Sequence, residues 1–338
     1  MKRYGNLYGE AFSCDALYAA YLDASRHKRG RRACFGFERR LGANIAALHE
    51  ELQTGSYRPR PYYTFMVYEP KPRTIYAPAF RDLVVQHAIY RVIGPIFERG
   101  FIAQSFACRK GLGTHKAADY AQDALRTGAS ESYTLKLDVR KFFYRIDRTV
   151  LRGLIERKIK DRRFVDLMMV FADHGEPGGI PIGNLLSQLY ALIYLNPVDH
   201  YIKRVLKVRR YARYVDDLVL FDLGRDRALE CKTRIVGILA GLRLELSKWT
   251  LAKTRRGINF VGYRTWRGRR FIRRHSLYKF RRALKGGRMD AAVSILGHAR
   301  RSHSLQHLLN TAKKKDRNAY RALPKTYRRA HHPRAAAA

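Results

Sequence analysis

Acidic residues are scarce in this chain. Only 28 of its 338 residues are Asp or Glu, against 68 Lys or Arg, which leaves a formal net charge of +40. With 46% hydrophobic and 12% aromatic residues there is still enough apolar surface to build a core, so general disorder is excluded. The imbalance points to a polyanionic partner, nucleic acid first, although an arginine-rich genome would also give a basic surface. Cysteine is sparse as well. Cys14, Cys34, Cys108 and Cys231 form no CxxC pair and no zinc-ligand spacing, which argues for free thiols and against a disulfide framework. Long apolar runs are missing. The stretch 189–195 is far below the roughly 18 residues of a membrane span. The first residues hold no apolar leader core, so no membrane role and a cytoplasmic location are expected. Internal repeats are absent, and the only low-complexity segment is the alanine run 335–338.

The apolar periodicity and the Gly and Pro breaks divide what remains. Residues 25–32 read as a basic loop, 37–53 and 82–97 as helices, and 62–70 as a strand turned by Pro70-Lys71-Pro72. A strand is expected at 132–139, followed by a helix capped by Asp147 and running to about 160. Residues 176–183 form a turn-rich loop, 187–206 a long, mostly buried helix, and 211–221 a strand pair folded about an acidic turn. Further expectations are a helix at 225–242, a short extended piece at 244–246 and a hairpin at 257–266. Beyond it lie an arginine-dense run at 268–285 and basic helices to 333. Three stretches follow: a basic arm over 1–35, a central domain over 36–266, and a helical basic segment over 267–338. His298, His303 and His307 read as the polar face of one helix.

The chemistry concentrates at Tyr214-Val215-Asp216-Asp217. Adjacent aspartates at a hairpin tip between apolar strands raise each other's pKa unless a cation neutralises them. Asp-Asp is also simply a good turn former. Asp138, however, ends another apolar strand. Two such strand ends side by side would gather three carboxylates, a hard-oxygen site for two Mg²⁺ ions, with Mn²⁺ as a substitute. Metals roughly 3.5–4 Å apart can activate an attacking 3′-hydroxyl and stabilise leaving pyrophosphate.

In order along the chain stand VYEPKPRTIYAPAFRDLVVQHA, SFACRKGLGTHKA, LKLDVRKFFYRID, GIPIGNLLSQLYALIYLNPVD, RYARYVDDLVLF, GLRLELSKWTL and INFVGY. This series, covering about residues 40–265, resembles the consecutive motifs of reverse transcriptases. Group II intron and retroviral enzymes usually have Gln before the glycine and Pro after the serine of the fourth motif. Here Ile182 and Gln188 stand in those places, which resembles the reverse transcriptases of diversity-generating retroelements. The resemblance implies an α+β right-hand polymerase fold: an antiparallel palm sheet, α/β fingers within 36–266, and a helical thumb within 267–338.

It also implies roles for residues. Asp138, Asp216 and Asp217 would ligate metal, with the backbone of Val139 beside the incoming triphosphate. Phe143 falls at the steric gate that excludes a 2′-hydroxyl; an ordinary core Phe is the other reading. Lys71 and Arg73 match the fingers cations on the triphosphate. Arg109 would contact template or nucleotide, or be a solvated loop arginine. Gly183 would let the backbone approach the base pair, and Lys248 would protonate pyrophosphate or simply lie on the surface. Phe260, Gly262 and Tyr263 look like the primer grip. Ile182 replaces a polar group that helps to hold the nucleotide in line, so copying is expected to be error-prone, above all opposite template adenines. The implied substrates and partners are an RNA template, the RNA/DNA duplex, dNTPs and a small basic oligomeric accessory protein, all in a bacterial or phage-encoded system. A group II-like or defence-associated enzyme without targeted mutagenesis, and a silent RNA-binding scaffold, are the alternatives.

Overall fold

The computed structural model describes residues 3–68 and 71–328. The expected turn residue Pro70, the alanine run 335–338 and the last residues of the expected basic helices lie outside the described residues. The chain divides into two compact units, each assembled from three separate segments.

The first unit holds the residues up to Ala103, with Val139–Val205 and Ile235–Ser247. Its core is helical. Leu17 and Tyr21 of helix Cys14–Ser25 are buried with Val84, Val85 and Ile89 of helix Phe80–Glu98, because their apolar positions recur at helical spacing. Residues 7–25, expected within a basic arm, thus contribute core; the charges of that region cluster after Ser25 and conceal the apolar stripe before it. The helix predicted from 37 to 53 is two, Arg32–Glu38 and Leu41–Thr54. Helix Leu185–His200 is buried on nearly every side and continues as a π-helical turn, Tyr201–Val205. Strands β1 (Tyr63–Val67) and β2 (Arg73–Ala77) form an antiparallel hairpin whose first strand is exposed throughout.

One carboxylate ties distant parts of this unit together. Asp161 Oδ2 accepts from the backbone N–H of Leu7 and Tyr8, at 2.8 and 3.0 Å. Its Oδ1 accepts from Phe164 N–H at 3.1 Å, so a single side chain caps helix Arg162–Val170 and the short helix Leu7–Ala11.

The second unit takes Gln104–Asp138, Leu206–Arg234 and the residues from Lys248 onward. Its main sheet has the order β4-β5-β3-β6, built from β3 (Tyr133–Val139), β4 (Arg210–Tyr214), β5 (Asp217–Leu223) and β6 (Leu246–Lys253). The predicted strand pair is β4 and β5, and both β4 and β3 run antiparallel to β5. The extended piece expected at 244–246 meets β6 only at Leu246; the strand runs on to Lys253, and its burial is too slight for an apolar alternation to mark it. A smaller antiparallel sheet joins β7 (Ile258–Phe260), β8 (Tyr263–Thr265) and β9 (Arg270–Ile272). β9 lies inside the segment read as helical, its Arg270 buried against Asp119 and the Ala118 carbonyl. Helices Arg274–Lys285, Met289–Ala299 and Ser304–Lys315 follow and share a core through Phe280, Leu296 and Leu308. His298 therefore sits on a different helix from His307, while His303 stands just before the first residue of the latter, with no capping bond from its side chain. Among the described residues no helix is long and apolar enough to cross a membrane.

Asp161→Ala removes three hydrogen bonds at once. A loss of about 1–3 kcal/mol is expected, read as a lower thermal midpoint, with Asp161→Asn recovering part of it.

Candidate active site

The second unit's sheet places the acidic residues. Along β3, Leu135, Leu137 and Val139 turn into the core, so Lys136 and Asp138 share the open face. Asp138 lies directly opposite Asp217 on β5, and Asp217 in turn faces Tyr214 on β4. Asp216 sits in the two-residue connection between β4 and β5. Val215, beside it, is held at φ +54°, a left-handed conformation that costs a β-branched residue about 1–3 kcal/mol. Sequence, register and turn thus bring Asp138, Asp216 and Asp217 to one end of one sheet.

Lys136 Nζ stands 2.8 Å from Asp217 Oδ1 and also donates to the Asn259 carbonyl at 3.3 Å. Its ammonium offsets the repulsion between the facing carboxylates. Sequence reasoning missed this residue; its spacing two before Asp138 on a strand was the available signal. The same face opens into a cleft of about 480 Å³ lined by Lys136, Asp138, Lys248, Trp249, Asn259 and Arg273. Lys248, exposed on β6, therefore borders the same space as Asp138. In this arrangement no three His, Cys, Asp or Glu side chains among the described residues converge as a metal site. The donors nonetheless suit Mg²⁺ chemically, being carboxylate oxygens without thiol or imidazole.

Elsewhere in this unit Arg109 is half-buried and donates from Nη1 to the Ser105 carbonyl at 2.8 Å. Phe260 and Tyr263 are buried, and Tyr263 stacks on His298 with ring centroids 4.2 Å apart. Burial pushes the Tyr263 phenol up to about 12 and holds the imidazoles of His115 and His298 below the usual histidine range. Gly262, at φ +86°, turns the chain where a Cβ would lie 2.7 Å from His298 Nε2. Contact with a primer at 260–263 would therefore fall to backbone rather than to these two rings.

The remaining predicted residues are in the first unit. Lys71 and Arg73 are exposed at the start of β2. Ile182 offers its carbonyl to Tyr76 N–H at 2.7 Å, fixing the loop 176–183 against β2. Gly183 has φ +103°, and a Cβ there would be 2.6 Å from Ile75 Cγ2. The glycine is thus required by approach to a strand of the same unit. Phe143 is half-buried, edge-to-face with Phe142 at 5.6 Å, and its carbonyl accepts from Ile180 N–H at 2.9 Å.

Comparison with known proteins bears on the family and the fold. The family described as "Reverse transcriptase (RNA-dependent DNA polymerase)" matches residues 69–265, more than half of the chain. Protein YkfC of Escherichia coli K12 is 28% identical over 281 residues, covering 68% of this chain and 73% of that protein. The group II intron-encoded protein LtrA of Lactococcus lactis is 28% identical over 170 residues, 47% of this chain and 28% of that protein. Among solved structures, telomerase from Candida albicans in complex with a telomeric RNA fragment aligns with a TM-score of 0.50 and 12% identity. That alignment covers 80% of this chain and 58% of the other, and it bears out the expected α+β right-hand polymerase fold.

Gly183→Ala should cost about 1–3 kcal/mol of stability, seen as a lower midpoint in thermal unfolding. Pairing it with Ile75→Val leaves the clashing Cγ methyl in place, so no recovery is expected; Ile75→Ala should restore part of the loss.

Proposed function

The chain belongs to the reverse transcriptase (RNA-dependent DNA polymerase) family and is an RNA-directed DNA polymerase, and from that premise we propose that it serves a diversity-generating retroelement. In that role it copies a template-repeat RNA into cDNA with errors concentrated opposite adenine. The observation that carries this reading is Ile182-Gly183-Asn184-Leu185-Leu186-Ser187-Gln188, with its apolar residue ahead of the glycine and its Gln after the serine.

Asp138, Asp216 and Asp217 would hold the divalent ions, with the Val139 backbone alongside. Bound Mg²⁺ supplies activation of the primer hydroxyl and neutralisation of pyrophosphate charge. The protein's own side chains do the rest. Lys71, Arg73 and Arg109 offer fixed cations to phosphates, and Lys248 borders the carboxylate cleft as the proton donor to the leaving group. Phe143, packed against Phe142, presents a ring that excludes a 2′-hydroxyl by volume. Ile182 cannot hydrogen-bond the nucleotide through its side chain. Orientation then depends less on correct pairing, and selectivity falls. A small basic oligomeric accessory protein and the RNA flanking the template complete the assembly, and the +40 charge suits an extended RNA partner.

A second reading is favoured by the likeness to LtrA: a group II-like reverse transcriptase without targeted mutagenesis. The likeness covers 28% of that protein's length.

Sequencing the cDNA made on a primed mixed-sequence RNA, with Mg²⁺ and four dNTPs, separates the two. Asp216→Ala/Asp217→Ala should lower product by about 10³-fold. Wild-type errors opposite adenine support the retroelement; faithful cDNA supports the second reading. Ile182→Gln should reduce the adenine errors by about three- to ten-fold, the worth of one hydrogen bond. An unchanged error spectrum would clear Ile182 of the cause.

A further inference from the structure

The three-stranded sheet β7-β8-β9 has one face in the core and one in solvent. Inward go Ile258, Phe260, Tyr263, Thr265, Arg270 and Ile272. The register aligns Asn259 with Arg264 and Arg264 with Phe271, so these three form a row across the outer face. Phe271 is an exposed aromatic at the end of that row. Trp266 meets it edge-on, with centroids 6.1 Å apart, and the His303 ring lies 5.7 Å from that of Phe271. Phe271 thus touches both other rings, and all three line a cleft of about 720 Å³ together with Leu277.

Cations accompany the rings. The Arg264 guanidinium lies 4.8 Å from the Trp266 ring centroid, and exposed Arg273 and Arg274 line the same cleft. Trp266 packs closely on the backbone at Gly257, where a Cβ would come within 2.8 Å of its Cδ1. Flat rings, fixed in position and flanked by guanidinium groups, are what unpaired bases and their phosphates recognise. Tracking of a duplex needs phosphate contacts alone, and a group of three rings adds nothing to that.

We propose that this outer face, Trp266–Phe271–His303 with Arg264, Arg273 and Arg274, is a stacking site for unpaired nucleotides of RNA. The choice of RNA rests on the chain's being an RNA-directed DNA polymerase: its DNA product is made already paired, whereas its RNA partner is unpaired beyond the duplex. It does not depend on the mutagenic reading.

The chain has two tryptophans, so Trp249→Phe leaves Trp266 as the sole reporter. In full-length protein also carrying Asp216→Ala/Asp217→Ala, a short unstructured oligoribonucleotide should quench Trp266 fluorescence as it binds. Phe271→Ala should weaken that binding about ten-fold. Phe271→Tyr should bind like the parent, and binding of a blunt RNA/DNA duplex should change less than about two-fold. Absence of quenching on the unmutated face overturns the site, whether or not Phe271→Ala folds. Equal loss of single strand and duplex assigns the rings to the duplex track and overturns it. Equal affinity for the matching DNA strand overturns the choice of RNA. Because binding is read on catalytically disabled protein, a failure here is distinct from a failure to make cDNA.

Discussion

Asp138 and Asp217 face each other across two neighbouring strands, and the rest of the second unit holds them there. Free carboxylates in that relation would move apart. They cannot, because the opposite faces of β3 and β5 carry Leu135, Leu137, Val139, Leu218 and Leu220 into the core, and a one-residue slip would carry that whole set to the wrong face. Hydrophobic burial thus fixes an electrostatically unfavourable pair, and Lys136 is placed by the same alternation to offset it. The strained Val215 belongs to the same economy: a tight link between β4 and β5 carries Asp216 to the end of the sheet where the other two lie.

Backbone, more than side chain, shapes the other recognised segments. Ile182 meets β2 through its carbonyl, Gly183 has no room for a Cβ, and Gly262 turns where only a glycine clears His298. Phe260 and Tyr263 are withdrawn into the core, leaving the turn between them as the accessible part.

The sequence was most legible where one face of an element is buried. The alternation of β3, the acidic hairpin after Arg210, the Asp147 cap and the nearly all-apolar helix from Leu185 could each be read from residue type, because burial there selects it. Legibility failed where polar residues serve as structure. Arg270 in β9 looks like one more member of a basic run, yet it is buried on Asp119, and this ion pair hides the strand. The helix at Cys14–Ser25 was missed because the charges after it dominate the local composition. The three carboxylates were found from their motifs, but the lysine that tempers them was not; only the fold shows which face of β3 it takes.

Asp161 binds the backbone of Leu7 and Tyr8 across a separation of 154 and 153 residues. On a ribosome the first helix therefore emerges long before its anchor exists, a delay of roughly 8–30 s at ordinary elongation rates. Through that interval the N–H groups of Leu7 and Tyr8 lack the carboxylate that satisfies them in the folded unit, while Leu17 and Tyr21 already have Val84, Val85 and Ile89 to pack against. The short opening helix can therefore complete its N-terminal cap only after the middle of the chain has been made, so its backbone is satisfied later than its neighbour Cys14–Ser25 is packed.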